Sequence, residues 1–273
     1  MRHRPAIATV AAIASWVLPS VALAECGLLA VRRLVPPEAL VATNDVVGNY
    51  LQTLGSVYAV LLAFVVFVVW SQFNEAKSRV ELEANELVDL YRTAKGLPDP
   101  TRAEVQRLIR QYVDLVVGRE WNAMTCGDRR GLEEGDRLID AMWDGLHTCE
   151  TVSSCHAALF AEALGRFNGV SDARTNRLAS SQLKIPLALH ILLYMGAVVT
   201  VGSMYLFAVD SLGVHLFITA AMAGALSHIL YVVHDLDDCF GGAFQVPREA
   251  FERAQRHVAR AAGETETETE TGR

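Results

Sequence analysis

YAVLLAFVVFVVWSQFNEAKSRVELEANEL, Tyr58 to Leu87, has no charge in its first half and many in its second, with neither Pro nor Gly between them. The first half suits hydrocarbon and the second suits water. A stripe recurs through the second half and beyond at Phe73, Ala76, Val80, Ala84, Leu87, Tyr91 and Ala94, in alternating steps of three and four, as one face of a helix requires. The spacing predicts a single helix that leaves an apolar medium and continues as an amphipathic rod until Gly96-Leu97-Pro98 stops it.

The rest of the chain divides in the same way. It has 273 residues, of which 52% are hydrophobic and 20% charged, and a mean hydropathy of +0.24. The apolar residues gather in four runs long enough to cross a hydrocarbon core about 30 Å thick. These are Pro5 to Val31, Tyr50 to Trp70, Ile185 to Val209 and Leu212 to Val233. Met1-Arg-His-Arg4 and the ALAE step at Ala22 to Glu25 give the first run some features of a signal peptide. The apolar sequence resumes as CGLLAV, which favours an uncleaved span.

The sequence thus predicts an all-α, four-span membrane protein, with a helical bundle inserted between spans 2 and 3 and span 2 continuing into it. The divisions are a span or signal at 5–31, span 2 at 50–71, the helical domain at 72–184 and a span hairpin at 185–233. A C-terminal segment with a helix follows at 234–262, then a disordered Glu-Thr tail at 263–273. Lys and Arg are sparse in the 32–49 connection (Arg32 and Arg33 only) and absent from 210–212; all the others lie in the N-terminal stub, the central block and the C-terminal tail. By the positive-inside rule both termini and the central block face the cytoplasm of a cell inner or plasma membrane. Small residues at Gly196, Gly202, Ala220, Ala221, Ala223, Gly224, Ala225 and Ser227 let spans 3 and 4 approach their neighbours closely.

Within the central block, Thr101-x-x-Glu104 reads as a capping box, followed by a buried face of Val105, Leu108, Ile109, Tyr112 and Val116. Shorter helices are expected from about Leu132 to Leu146 and from about His156. The net charge of −7, without a basic patch, argues against a nucleic-acid partner. Nucleophile elbow, phosphate loop, zinc-protease and dinucleotide patterns are all missing, so an enzyme is not expected and no cofactor is implied. His147, Cys149, Cys155 and His156 have the residue types of a zinc site without a recognised spacing, so no metal is assigned. His190 and His228 are ionisable groups inside apolar runs; each is either a neutral imidazole bonded between helices or a group facing water.

Several motifs resemble a known family. The Tyr58–Ala76 block, the Glu120-Trp121 pair, the Arg174-x-x-Arg177-Leu178 step and LDDCFGGAFQVP (Leu236 to Pro247) resemble the bestrophin-like domain family of bacterial membrane proteins. That family is similar to bestrophin channels. The resemblance implies a homo-oligomer, a pentamer, in which span 2 lines a path for an inorganic ion. DDCFGG looks like the start of the bestrophin calcium clasp, but Cys239 replaces its proline and the following acids are missing, so calcium gating is not expected.

Two registers are open for the path-lining face, Gln52, Ser56 and Val60 or Thr53, Val57 and Leu61. Glu75, Glu81, Glu83, Glu86 and Asp89 are candidates to face a vestibule. The alternative is a membrane-anchored helical scaffold or sensor without ion conduction, seated in the lipid bilayer, whose cytosolic bundle binds a protein partner.

Overall fold

The computed structural model describes residues 6–126, 128, 130–148 and 154–271, of which 6–8, 154–156 and 264–271 are described by backbone alone. Helix is the only regular structure among them: α1 (Ala6–Leu34), α2 (Asn44–Ala94), α3 (Thr101–Leu115), α4 (Trp121–Cys126), α5 (Arg130–His147), α6 (Ser154–Gln182), α7 (Leu187–Met204), α8 (Leu212–Asp237) and α9 (Glu249–Thr271). A short 3₁₀ helix, Pro37–Thr43, precedes α2, and a π-helical turn, Val116–Glu120, joins α3 to α4. Four helices, within α1, α2, the α6–α7 stretch and α8, are long and apolar enough to cross a membrane. The all-α, four-span reading of the sequence holds.

The chain forms two compact units. One comprises residues 1–71 and 184–238, the other 72–183 and 239–273. Helix α2 contributes to both without interruption over 51 residues.

In the span-bearing unit, α1 and α8 form the most extensive pairing. Gly224 faces Val21 and Val17 of α1, where a methyl group would make ordinary contact with Val21 Cγ2 at 3.6 Å. Trp16 of α1 packs edge-on to Tyr231 and stacks on His234, both of α8. Helix α7 ends at Met204, short of the expected Val209, and the chain returns to α8 through Tyr205–Ser211. The Asn44 amide explains the early end: its Oδ1 accepts from the Ala208 amide at 2.8 Å and its Nδ2 donates to the Ala208 carbonyl at 3.3 Å. This connection is therefore pinned to the first residue of α2. Ser211 caps α8 by accepting from the Val214 amide.

In the other unit, the stripe from Ala76 to Ala94 is buried in a core that also takes in residues of α3, α5, α6 and α9. Val80, Leu87, Leu90, Tyr91, Val105, Ile109, Tyr112, Met142, Phe240 and Phe251 lie in a single apolar core. Val105, Leu108, Ile109, Tyr112 and Val116 form the expected buried face of α3. The capping box is not formed. The Asp99–Pro100 turn already supplies acceptors, Pro98 O for the Arg102 amide and Pro100 O for the Glu104 amide. Thr101 is consequently the first helical residue, with no capping bond at the helix start. The Glu104 carboxylate is instead bound by Arg107, which holds it below the usual carboxylate range.

Candidate functional site

Between Val46 and Asn74, α2 carries no charged side chain. Tyr58, Leu62, Val65 and Val69 are buried at steps of four, three and four, forming one face of the helix. Tyr58 fixes the orientation of that face. Its hydroxyl donates to the Leu193 carbonyl at 2.6 Å, and its ring fills the space where a Gly196 side chain would otherwise stand, so that a methyl group there would overlap it.

At about 100° per residue, the face opposite Tyr58 presents Thr53, Ser56, Val60, Ala63 and Phe67. Val60 is 70% exposed and Phe67 67%. Gln52, Ser56 and Val60 are set apart from the buried face, with Ser56 and Val60 closest to its opposite. In the other register Thr53 and Val57 are exposed and Leu61 is half-buried. The Thr53 and Ser56 hydroxyls donate back to the carbonyls of Asn49 and Gln52. That face is therefore uncharged, with its hydroxyls already satisfied.

Further along the same helix, Glu83 is fully buried. Arg177 of α6 grips it, with Nε at 2.6 Å from Oε2 and Nη2 at 3.2 Å from Oε1, while the Tyr112 hydroxyl donates to it from α3. Arg177 also donates to Glu120 and lies 2.8 Å from Met124 Sδ. Arg174, one turn back on α6, donates to both Glu120 oxygens at 2.7 Å, to Asp136 at 2.9 Å, to the Leu132 carbonyl at 3.0 Å and to the Tyr112 hydroxyl at 3.0 Å. Two carboxylates, two guanidiniums and a phenol are thus desolvated together.

Local sequence explains how these groups meet. Val116 and Glu120 bound the π turn, and both are buried, four positions apart on one side of the helical path. Gly135 lies so close that a methyl group on it would overlap Glu120 Oε2 and Arg174 Nη2. Burial, then the neighbouring Glu83 charge, holds the Tyr112 phenol well above its ordinary range. For Arg177, burial disfavours the charge, but Glu83, Tyr112 and Glu120 overcome this and raise it well above the usual value.

This cluster corrects one sequence expectation. Glu83 does not face a solvent-filled vestibule; it belongs to the core, because Arg177 and Tyr112 supply the donors that burial demands. Of the other candidates, Glu75 and Glu81 are exposed, and Glu75 pairs with Arg79 one turn on. Glu86 and Asp89 both turn toward Arg166 of α6. His228 is exposed; His190 is partly buried, with Nε2 3.9 Å from Asp237 Oδ2. Sequence reasoning missed the tightly bound histidine, His215. Its Nε2 lies 3.0 Å from the Met204 carbonyl and its Nδ1 3.2 Å from Arg32.

The DDCFGG segment is held by protein groups. Lys184 Nζ donates to the Asp237 carbonyl and to Asp238 Oδ1, both at 2.9 Å, and the Ile185 amide donates to Asp237 Oδ1 at 2.8 Å. Among the described residues no His, Cys, Asp and Glu group is suited to holding a metal. Cys149 lies outside them, as do the side chains of Cys155 and His156.

Among the described residues, an all-helical fold with four helices long and apolar enough to cross a membrane, the second uninterrupted over 51 residues, defines a membrane protein. The chain matches the Bestrophin-like domain over residues 18–251 and belongs to that family. Its fold is similar to crystal structures of a bacterial bestrophin homologue from Klebsiella pneumoniae. One of these, a point mutant, has a TM-score of 0.69 at 13% identity, covering 90% of this chain and 99% of that one. Another, phased with zinc, has a TM-score of 0.67 at 15% identity, with 90% and 98% covered. A crystal structure described only as that of a mutated membrane protein gives a TM-score of 0.71 at 12% identity, with 90% and 98% covered. No curated protein matches the chain in sequence.

Proposed function

We propose that the chain assembles as a homo-oligomeric ion channel in which α2 lines the conducting path, with both termini and residues 72–183 in the cytoplasm. The observation that carries this reading is the uncharged, exposed face of α2 opposite Tyr58, on a helix that continues unbroken into a charged unit. Rings of such a face can gate by dewetting, and its hydroxyls offer no fixed charge to trap an ion. Membership of the Bestrophin-like domain family supports the same reading. The Gln52, Ser56 and Val60 register is preferred because Ser56 and Val60 lie opposite the buried face, whereas Leu61 is half-buried. Exposed Glu75 and Glu81 would attract cations near the mouth. No catalytic step and no cofactor enter this function.

Purified protein in liposomes should pass chloride or sodium, and flux of neither removes the proposal. Cysteine placed at Ser56 or Val60, with the native thiols replaced by serine, should make flux sensitive to a charged, water-soluble thiol reagent. Cysteine at buried Leu62 should not. The arrangement in the bilayer is tested separately, by labelling single cysteines near each terminus in intact and in opened cells.

A further inference from the structure

A cavity of about 430 Å³ lies among α1, α7 and α8 of the span-bearing unit, away from the exposed face of α2. Small side chains make room for it. Ala24, Gly27, Ala197, Gly202 and Ala223 stand where larger residues would close it, and a methyl group on Gly202 would meet nothing within 4 Å. Trp16, Tyr194 and Tyr205 supply aromatic walls, and no charged side chain lines it. Leu23 and Val198 at its margin are 75% and 65% exposed, so it opens sideways from the unit.

One hydroxyl in this lining is anomalous. Ser20 of the lining, and Thr200 and Ser203 elsewhere on α7, each donate to a carbonyl one turn back on their own helix, the usual way for such groups in an apolar setting. Ser227 does not. It is 6% exposed, and its Oγ is buried with no hydrogen-bond partner among the described residues. Ser227 is the sixteenth residue of the 26 in α8, which places it near the middle of a span at about 1.5 Å per residue. An occupant that satisfies it must bring an acceptor oxygen to that depth. The acyl chain of a phospholipid carries its ester oxygens much nearer the surface and leaves the hydroxyl unmet.

We propose that this cavity binds an uncharged, membrane-dissolved ring compound bearing a carbonyl oxygen, of the quinone class. The ring lies between the aromatic walls, the carbonyl accepts from Ser227, and any apolar tail leaves between Leu23 and Val198. The volume is in the range of small-molecule sites, about 300–1,000 Å³.

The test uses the full-length protein in detergent micelles, with a short-chain benzoquinone as probe and quenching of tryptophan fluorescence as readout. Saturable quenching is expected, with the saturable part absent in Trp16→Phe. Ser227→Ala should weaken the apparent affinity about fivefold, the effect of one lost hydrogen bond. Gly202→Leu should abolish saturation. A photoreactive benzoquinone on the wild-type protein gives a second readout independent of the variants, and should label peptides of α1, α7 and α8. Quenching that rises linearly and equally in all forms, labelling spread over every exposed span, or saturable quenching by brominated-acyl phospholipid alone would each overturn the proposal.

Discussion

From Tyr58 to Val69, α2 meets its neighbours through aliphatic side chains and one phenol bonded to a backbone carbonyl; from Ala76 to Ala94 the same helix is anchored by aliphatic side chains and a fully buried carboxylate. The first arrangement uses no charge. A hydroxyl donating to a carbonyl, next to a glycine that clears room for the ring, suits a medium in which an unpaired charge is prohibitive. The second arrangement removes two acids and two guanidiniums from water and must satisfy all of them at once. A buried ion cluster of this kind adds little net stability over well-packed apolar residues, yet it tolerates few alternative pairings. The first half of α2 is thus positioned by close approach and the second by charge matching.

The difference is most exposed at Arg177. Replacing it with methionine leaves Glu83 and Glu120 each short of a partner, and should cost about 3–5 kcal/mol. Denaturant unfolding of the full chain in micelles, followed by circular dichroism, measures this; a cost below about 1 kcal/mol would show that the cluster behaves as a solvated surface pair.

Two glycine substitutions then set the halves against each other. Gly135→Ala drives a methyl into Glu120 and Arg174, and Gly196→Ala drives one into the Tyr58 ring. Each should destabilise by about 1–3 kcal/mol. Gly135→Ala should be the costlier, because Tyr58 can swing away for the loss of one hydrogen bond while the charged groups have no alternative partners. Equal costs in the same unfolding assay would erase the distinction.

Alkaline pH probes the charge-matched half by a smaller amount. Tyr112 keeps its proton in the fold well above the pH at which an unfolded tyrosine releases it, so the stability it confers is complete below about pH 10 and declines above, by about 1.4 kcal/mol per pH unit. The slope of unfolding free energy between about pH 10 and 11 should flatten in Tyr112→Phe. The smallest effect belongs to Arg79, whose pairing with Glu75 is one turn along the exposed surface. Arg79→Ala should shift stability by no more than about 0.5 kcal/mol, and a larger loss would mean that this stretch of α2 is covered in the assembled protein.

Much of this was legible in the sequence, and what was missed has physical reasons. The all-α, four-span class followed from apolar runs, and the buried stripe of α2 from its three-four spacing, because both depend on local periodicity. The family was recognisable from Glu120-Trp121 and Arg174-x-x-Arg177, but the purpose of those residues was not. Their meeting with Glu83 depends on partners from helices distant in sequence and on the room left at Gly135, and neither leaves a periodic signal. Glu83 was misplaced for a related reason: it directly precedes Ala84 of the stripe and is as polar as its exposed neighbours, so only partners distant in sequence reveal that it is buried. The early end of α7 was hidden in the same way, since VGSMYLFAV remains apolar beyond Met204 and the Asn44 clamp comes from 164 residues away.

The π turn at Val116–Glu120 also constrains how this chain can be rebuilt. Exchanging α3, the π turn and α4 for a regular helix of equal length would rotate everything after Glu120 by about 100°, carrying Trp121 off Phe240 and Met124 away from Arg177. A chimera across this junction must therefore keep the surplus residue, or drop one position in compensation, before any property of the donor helix can be compared.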